Sequence, residues 1–211
     1  PDSGDVCDLL ALLYSSGTYL RLPLGPALHP FEKCIEIPLL PGGVPGDPDR
    51  AKALLGDEPT ILVTLRDQGR LAGPVTAPPG WQVVSSLPEP VPGVTLNLPP
   101  SKLAESGLRF ADLVACADTV LLTPGYGIVS QVLALGKRAV VIRRHEFPET
   151  PFLMGPLEDR PGTVVRDARE LTGPWLGDAA RLSLEGPPPA VVDAGGLEAC
   201  ISYLSEGLRN L

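Results

Sequence analysis

Three short runs constrain this chain most: Thr60-Ile-Leu-Val-Thr-Leu65, Thr119-Val-Leu-Leu122 and Arg138-Ala-Val-Val-Ile-Arg143. Their interiors are almost continuously apolar and rich in β-branched residues. A strand with one wet face alternates apolar with polar residues, whereas a strand apolar on both sides belongs to a sheet covered on both faces. Helix-like patterns lie between the runs. The spacing predicts helices over residues 5–15, 49–55, 112–117, 128–135 and 193–208, and a helix beginning at Ser101 as its cap. Gly136 would end the helix at 128–135. Further strands are expected at 18–22, 34–39, 81–85, 94–98 and 163–166. Strands alternating with helices through short loops predict an α/β fold, a Rossmann-like largely parallel sheet with helices on both faces. Ligands of such sheets sit at the carboxyl ends of the strands.

The chain has 211 residues, 44% of them apolar, which suffices for one substantial core and is tight for two domains. Its 26 prolines and 23 glycines are spread between the apolar runs, so they read as many loops rather than one low-complexity tract. Residues 41–48, Pro-Gly-Gly-Val-Pro-Gly-Asp-Pro, form a turn-rich linker. We therefore expect residues 1–45 to finish another domain or pack on the main one, and residues 46–211 to form the Rossmann-like domain. The chain opens on Pro1 without a methionine, which reads as part of something larger.

A formal net charge of −8 argues against nucleic acid or an anionic membrane as a main partner. No apolar run is long enough to span a membrane. Cys7, Cys34, Cys116 and Cys200 match no zinc or redox spacing. In the apolar helical patterns around Cys7, Cys116 and Cys200 a reduced, buried thiol is expected, hence a reducing, cytoplasmic compartment. No metal site and no Ser-His-Asp constellation is visible. His29 lies in a proline-rich loop, and Glu146 and Glu149 suggest a carboxylate pair only superficially, with Glu146 read as an exposed helix-start residue.

One loop asks for an explanation. Thr123-Pro-Gly-Tyr-Gly127 joins the strand ending at Leu122 to the helix expected from Ile128. Two glycines permit positive φ or the close approach of a ligand, and a helix start offers free N–H groups and partial positive charge. A phosphate or diphosphate suits such a place, with Gln131 one turn in and able to reach a sugar hydroxyl. A tight turn with no ligand fits the local pattern equally well, because Gly-x-Gly alone is a weak signal.

The surrounding residues add a resemblance. Pro124-Gly-Tyr-Gly-Ile-Val-Ser130, followed by Arg144-His-Glu-Phe-Pro-Glu-Thr-Pro-Phe-Leu153, resembles the glycosyltransferase-like amino-terminal region of L-arabinokinase-type proteins. That family has Lys-Pro-Gly-Tyr-Gly-Thr-Val-Ser-Glu and then Arg-x-x-Phe-x-Glu-x-Pro-x-Leu. Tyr19-Leu-Arg-Leu-Pro23 and Ile37-Pro-Leu39 are also similar to it, so the resemblance runs from about Val6 to Trp175. It implies a GT-B architecture of two Rossmann-like domains, this chain being like the carboxyl-terminal, nucleotide-sugar-binding one. It further implies that Gly125, Tyr126, Gly127 and Ile128 hold a nucleoside diphosphate, such as UDP, and that Gln131 faces the ribose. Arg143 or Arg144, with Glu149, would lie near the diphosphate or donor sugar, and His145 would line the cleft. The nucleotide-sugar is substrate, so no cofactor is implied, and no catalytic residue is identified.

Two positions depart from the family pattern. Thr123 replaces a lysine, and Gln131 replaces the glutamate that holds the ribose. A hydrogen bond to a charged group contributes about 1.5–3 kcal/mol against about 0.5–1.5 for a neutral one, so binding is expected to be weaker, differently selective or lost. The loop after residue 65 carries a single glycine, Gly69, with Arg66 and Arg70 able to face a diphosphate or, for Arg70 especially, solvent. The expectation is the nucleotide-sugar-binding half of a glycosyltransferase-like protein of the hexosyltransferase class, inactive alone. It would be completed by an amino-terminal domain or a homo-dimer. The alternative is a non-catalytic scaffold or binding module that keeps the half-fold.

Overall fold

The computed structural model describes residues 3–15, 17–25, 31–65, 75–145, 147–168 and 174–209. In chain order its elements begin with α1 (Ser3–Ser15), β1 (Thr18–Arg21), β2 (Lys33–Glu36), α2 (Pro48–Leu55), β3 (Thr60–Val63), β4 (Gln82–Ser85) and β5 (Leu96–Asn97). They continue with α3 (Pro100–Ser106), α4 (Phe110–Cys116), β6 (Thr119–Leu122), α5 (Tyr126–Ala134) and β7 (Arg138–Arg143). The last are α6 (Thr150–Glu158), β8 (Thr163–Asp167), α7 (Trp175–Leu184) and α8 (Gly196–Arg209). They fall into two compact units, one of residues 41–192 and one of residues 1–40 with 193–211.

The larger unit is a six-stranded, wholly parallel sheet in the order β5-β4-β3-β6-β7-β8. Every residue of β3, β4 and β6 is buried, as the apolar runs require. One face packs Ile61, Val63, Leu121, Val140 and Ile142 against Leu176, Ala179 and Ala180 of α7. The other is covered by α4, which packs against β3, α2 and α5. Counted from β3, the strand order is that of dinucleotide-binding folds: the chain works outward to β5, returns to β6 and proceeds the other way. The reversal falls between β3 and β6. A crevice opens there at the strands' carboxyl ends, where parallel sheets of this order take their ligands. The amide of Thr64 donates to the carbonyl of Leu121 at 2.9 Å and keeps these two strand ends together.

Several local expectations are corrected. The helix after residue 99 is capped by Pro99 with Pro100 in its first turn, not by Ser101. α5 begins at Tyr126 rather than Ile128, so Gly127 lies inside its first turn. α6 and α7 occupy segments where no helix is expected from the spacing. The smaller unit pairs β1 with β2 in parallel, Tyr19 stacking on Phe31 at 5.2 Å between centroids and Arg21 pairing with Glu36. Leu24, Ile37 and Leu39 are its buried apolar residues, while Leu9, Leu12 and Leu13 of α1 and Leu197, Ile201 and Leu204 of α8 are exposed. All four cysteines are free; Cys7 and Cys34 are exposed, and Cys116 and Cys200 are half-buried. The expectation of a buried thiol fails at Cys7, where α1 is apolar around most of its circumference and apolar spacing selects no buried face, and is met only halfway at Cys116 and Cys200.

Candidate functional site

A cleft of about 600 Å³ opens at the reversal point. Each strand end around it contributes: Thr64 after β3, Ser86 after β4, Thr123 to Ile128 after β6, and Arg144 and Phe147 after β7. Seven of the eight residues expected from the sequence line it together: Gly125, Tyr126, Gly127, Ile128, Gln131, Arg144 and Glu149. Arg143 does not. It pairs with Glu158 at 2.6 Å and lines a second cavity of about 520 Å³ beside α6, which shares Arg144 and Phe147 with the first. His145 also lines that second cavity and meets Asp167 at 2.5 Å. Glu146, Arg66, Arg70 and His29 lie outside the described residues.

The two glycines of the loop have no conformational reason to be glycine. Gly125 caps α5 in an extended conformation, φ −154° and ψ 143°, and neither it nor Gly127 has a positive φ. A Cβ built on either would meet nothing within 4 Å. Their missing side chains leave open space. The carbonyl of Gly125 takes the first helical N–H, that of Val129, at 3.0 Å, and α5 has no side-chain cap. Among the described residues, the charged lining of the cleft is Arg144, whose guanidinium lies 4.7 Å from the centre of the Phe147 ring, and the exposed Glu149.

Gln131 is almost entirely buried, 3% exposed, and its side-chain amide donates to the carbonyl of Gly43 at 3.4 Å. Gly42 lines the cleft from the same segment. That segment is anchored by Asp112, wholly buried in α4: Oδ1 accepts the amides of Gly46 at 2.6 Å and Asp47 at 2.8 Å, and Oδ2 that of Arg109 at 2.7 Å. Burial alone would raise the carboxyl's pKa. The three backbone N–H groups and the nearby Arg109 charge outweigh it and hold it below its ordinary value. Sequence reasoning missed Gly42, Thr64, Ser86 and Phe110. Thr64 is legible once the strand order is known, being the first residue past β3 at the reversal; Gly42 is not, since only tertiary packing brings it to α5. Among the described residues no group of three or more His, Cys, Asp or Glu is placed to hold a metal ion, and no helix is long and apolar enough to cross a membrane.

Sheet order, crevice and helix start define the class, a Rossmann-like α/β domain, and its structural neighbours are GT-B glycosyltransferases, of which the chain spans about half. The spinosyn forosaminyltransferase SpnP matches with a TM-score of 0.53 at 12% identity, over 72% of this chain and 42% of that one. The calicheamicin glycosyltransferase CalG4 matches with a TM-score of 0.53 at 19% identity, over 88% of this chain and 52% of that one. In sequence, the chain is similar to L-arabinokinase of Arabidopsis thaliana, 32% identical over 165 residues, or 74% of this chain. It spans only 15% of that protein's length. No protein-family model matches.

Proposed function

We propose that this chain is the nucleotide-sugar-binding half of a GT-B glycosyltransferase-like protein. The diphosphate of the donor, UDP being the first nucleotide to try, rests on residues 125–128 and the first turn of α5. Arg144 and Glu149 face the diphosphate or the sugar. The observation that carries the reading is the open space at Gly125 and Gly127. Gly127 lies inside the first turn of α5, where glycine costs stability, and neither backbone conformation nor packing calls for it there. A ligand approaching the backbone at the sheet's reversal point does call for it. The acceptor side of the reaction then comes from a further domain or a second copy.

The test is calorimetric titration of wild type and Gly127→Val with a panel of nucleoside diphosphates. Binding by wild type that is lost in the variant, with unchanged thermal stability, is the expected result. Equal heats for both proteins would remove the loop from the site. A second reading, a binding module without chemistry, is favoured by one observation: the amide of Gln131, where a ribose-binding carboxylate is usual, is engaged by Gly43.

A further inference from the structure

We propose that Gln131 is a positioning residue: its amide ties the glycine strap of residues 41–47 to α5, so a glutamate at this position weakens nucleotide binding instead of strengthening it. The affinity half of this proposal rests on reading the cleft as a nucleoside-diphosphate site. The tie itself does not.

A backbone carbonyl only accepts hydrogen bonds, so the atom of Gln131 facing Gly43 is the amide nitrogen. The strap is fixed at its far end by Asp112, through Gly46 and Asp47. At its near end the packing is close. A Cβ on Gly42 would lie 3.5 Å from Cα of Gly127, and one on Gly43 would lie 3.3 Å from Nε2 of Gln131 and 3.7 Å from Cβ of Ala111. Gly42 is itself part of the cleft lining. The strap thus brings Gly42 to the cleft and is held by a carboxylate at one end and by an amide donor at the other. With Nε2 committed to Gly43, only Oε1 remains to accept from a ligand. A glutamate offers no donor while ionised. It would set a buried carboxylate against the Gly43 carbonyl, two acceptors with no proton between them. The strap would then leave α5 and the cleft lining at Gly42 would loosen. Protonation restores a donor, and burial against a carbonyl raises the pKa of such a carboxyl, so the defect is pH-dependent.

Two measurements decide this. Affinity for UDP is measured by calorimetry on wild type, Gln131→Glu and Gln131→Ala at pH 8 and pH 5.5, each variant referred to wild type at the same pH. Backbone amide exchange across residues 41–47 is measured on the three proteins without ligand. We expect Gln131→Glu to bind UDP at least about tenfold more weakly than wild type at pH 8, the worth of one lost hydrogen bond and its repulsive replacement. The gap should narrow at pH 5.5, while that of Gln131→Ala stays constant. Exchange in the strap should be faster in both variants. Binding by Gln131→Glu as tight as wild type or tighter at pH 8, or unchanged exchange, overturns the proposal. If wild type binds no member of the nucleoside-diphosphate panel, the cleft reading and the affinity half fall, and the ligand-free exchange alone decides the tie; if it binds another member and not UDP, that nucleotide replaces UDP in the comparison.

Discussion

Single residues separate what the fold needs from what the cleft needs. Asp112 belongs to the fold. An asparagine there would present an amide N–H to a backbone N–H, and we expect Asp112→Asn to lower unfolding stability by about 1–3 kcal/mol in urea denaturation at pH 7. Its carboxyl titrates below the ordinary 3.8 in the folded chain. The contribution is therefore complete above that value and is lost as pH falls through the lower folded value, so the gap between variant and wild type should close only below about pH 4. A gap that closes between pH 8 and 5 would point to another group. Glycines divide in the same way. Gly93 has φ +88°, and a Cβ there would lie 2.2 Å from the carbonyl oxygen of Val75, so Gly93→Ala should destabilise by more than about 1 kcal/mol. Gly127→Ala should leave thermal stability unchanged or raise it by about 1 kcal/mol, because it removes a glycine from a helix and meets no neighbour. If Gly127→Ala destabilises as Gly93→Ala does, the open space has a structural cause and the ligand argument fails.

At the scale of elements, α7 packs on one face of the sheet through Leu176, Ala179 and Ala180. Leu176 is 1% exposed against the sheet, and Leu176→Ala should cost about 2–5 kcal/mol in the same denaturation measurement. A cost near zero would mean that α7 does not close this face. The strands were legible because burial on both sides writes itself into residues 61–63, 120–122 and 139–142 as unbroken apolar runs. The helices were legible only in part. α7 keeps its contacts at Leu176, Ala179, Ala180 and Ser183, and the small residues among them give a faint apolar signal. α6 carries Pro in its first turn and Pro156 inside, which read as breaks; a first-turn proline forfeits no helical bond, and the helix tolerates the second. In the site, the loop of residues 125–128 and Gln131 announced themselves through two glycines beside a strand end. The Gln131–Gly43 bond, 88 positions apart in sequence, left no local mark. Arg143 and Arg144 look alike in sequence and both line the second cavity, but of the two only Arg144, just past the end of β7, also lines the cleft at the reversal point.

At the scale of the molecule, the fold puts a cleft where nucleotide-binding sheets put their ligands, and it supplies few groups for chemistry. Among the described residues lining the cleft, Glu149 is the carboxylate, and it is exposed. General-base catalysis needs a group within hydrogen-bond reach of an acceptor in a site that excludes water. We therefore expect the purified chain, given UDP-sugars and free acceptors, to transfer no sugar. Robust turnover lost on substituting Gly127 would show that this chain carries the whole reaction. The central claim is narrower than transfer: a nucleoside diphosphate binds with its phosphates against α5. A crystal structure of the chain with UDP tests it most directly. The account predicts phosphate oxygens within hydrogen-bond distance of the backbone amides of residues 125–128, with the ribose beside Gln131. A diphosphate seated instead in the cavity of Arg143 and His145, with the glycine loop empty, would contradict it.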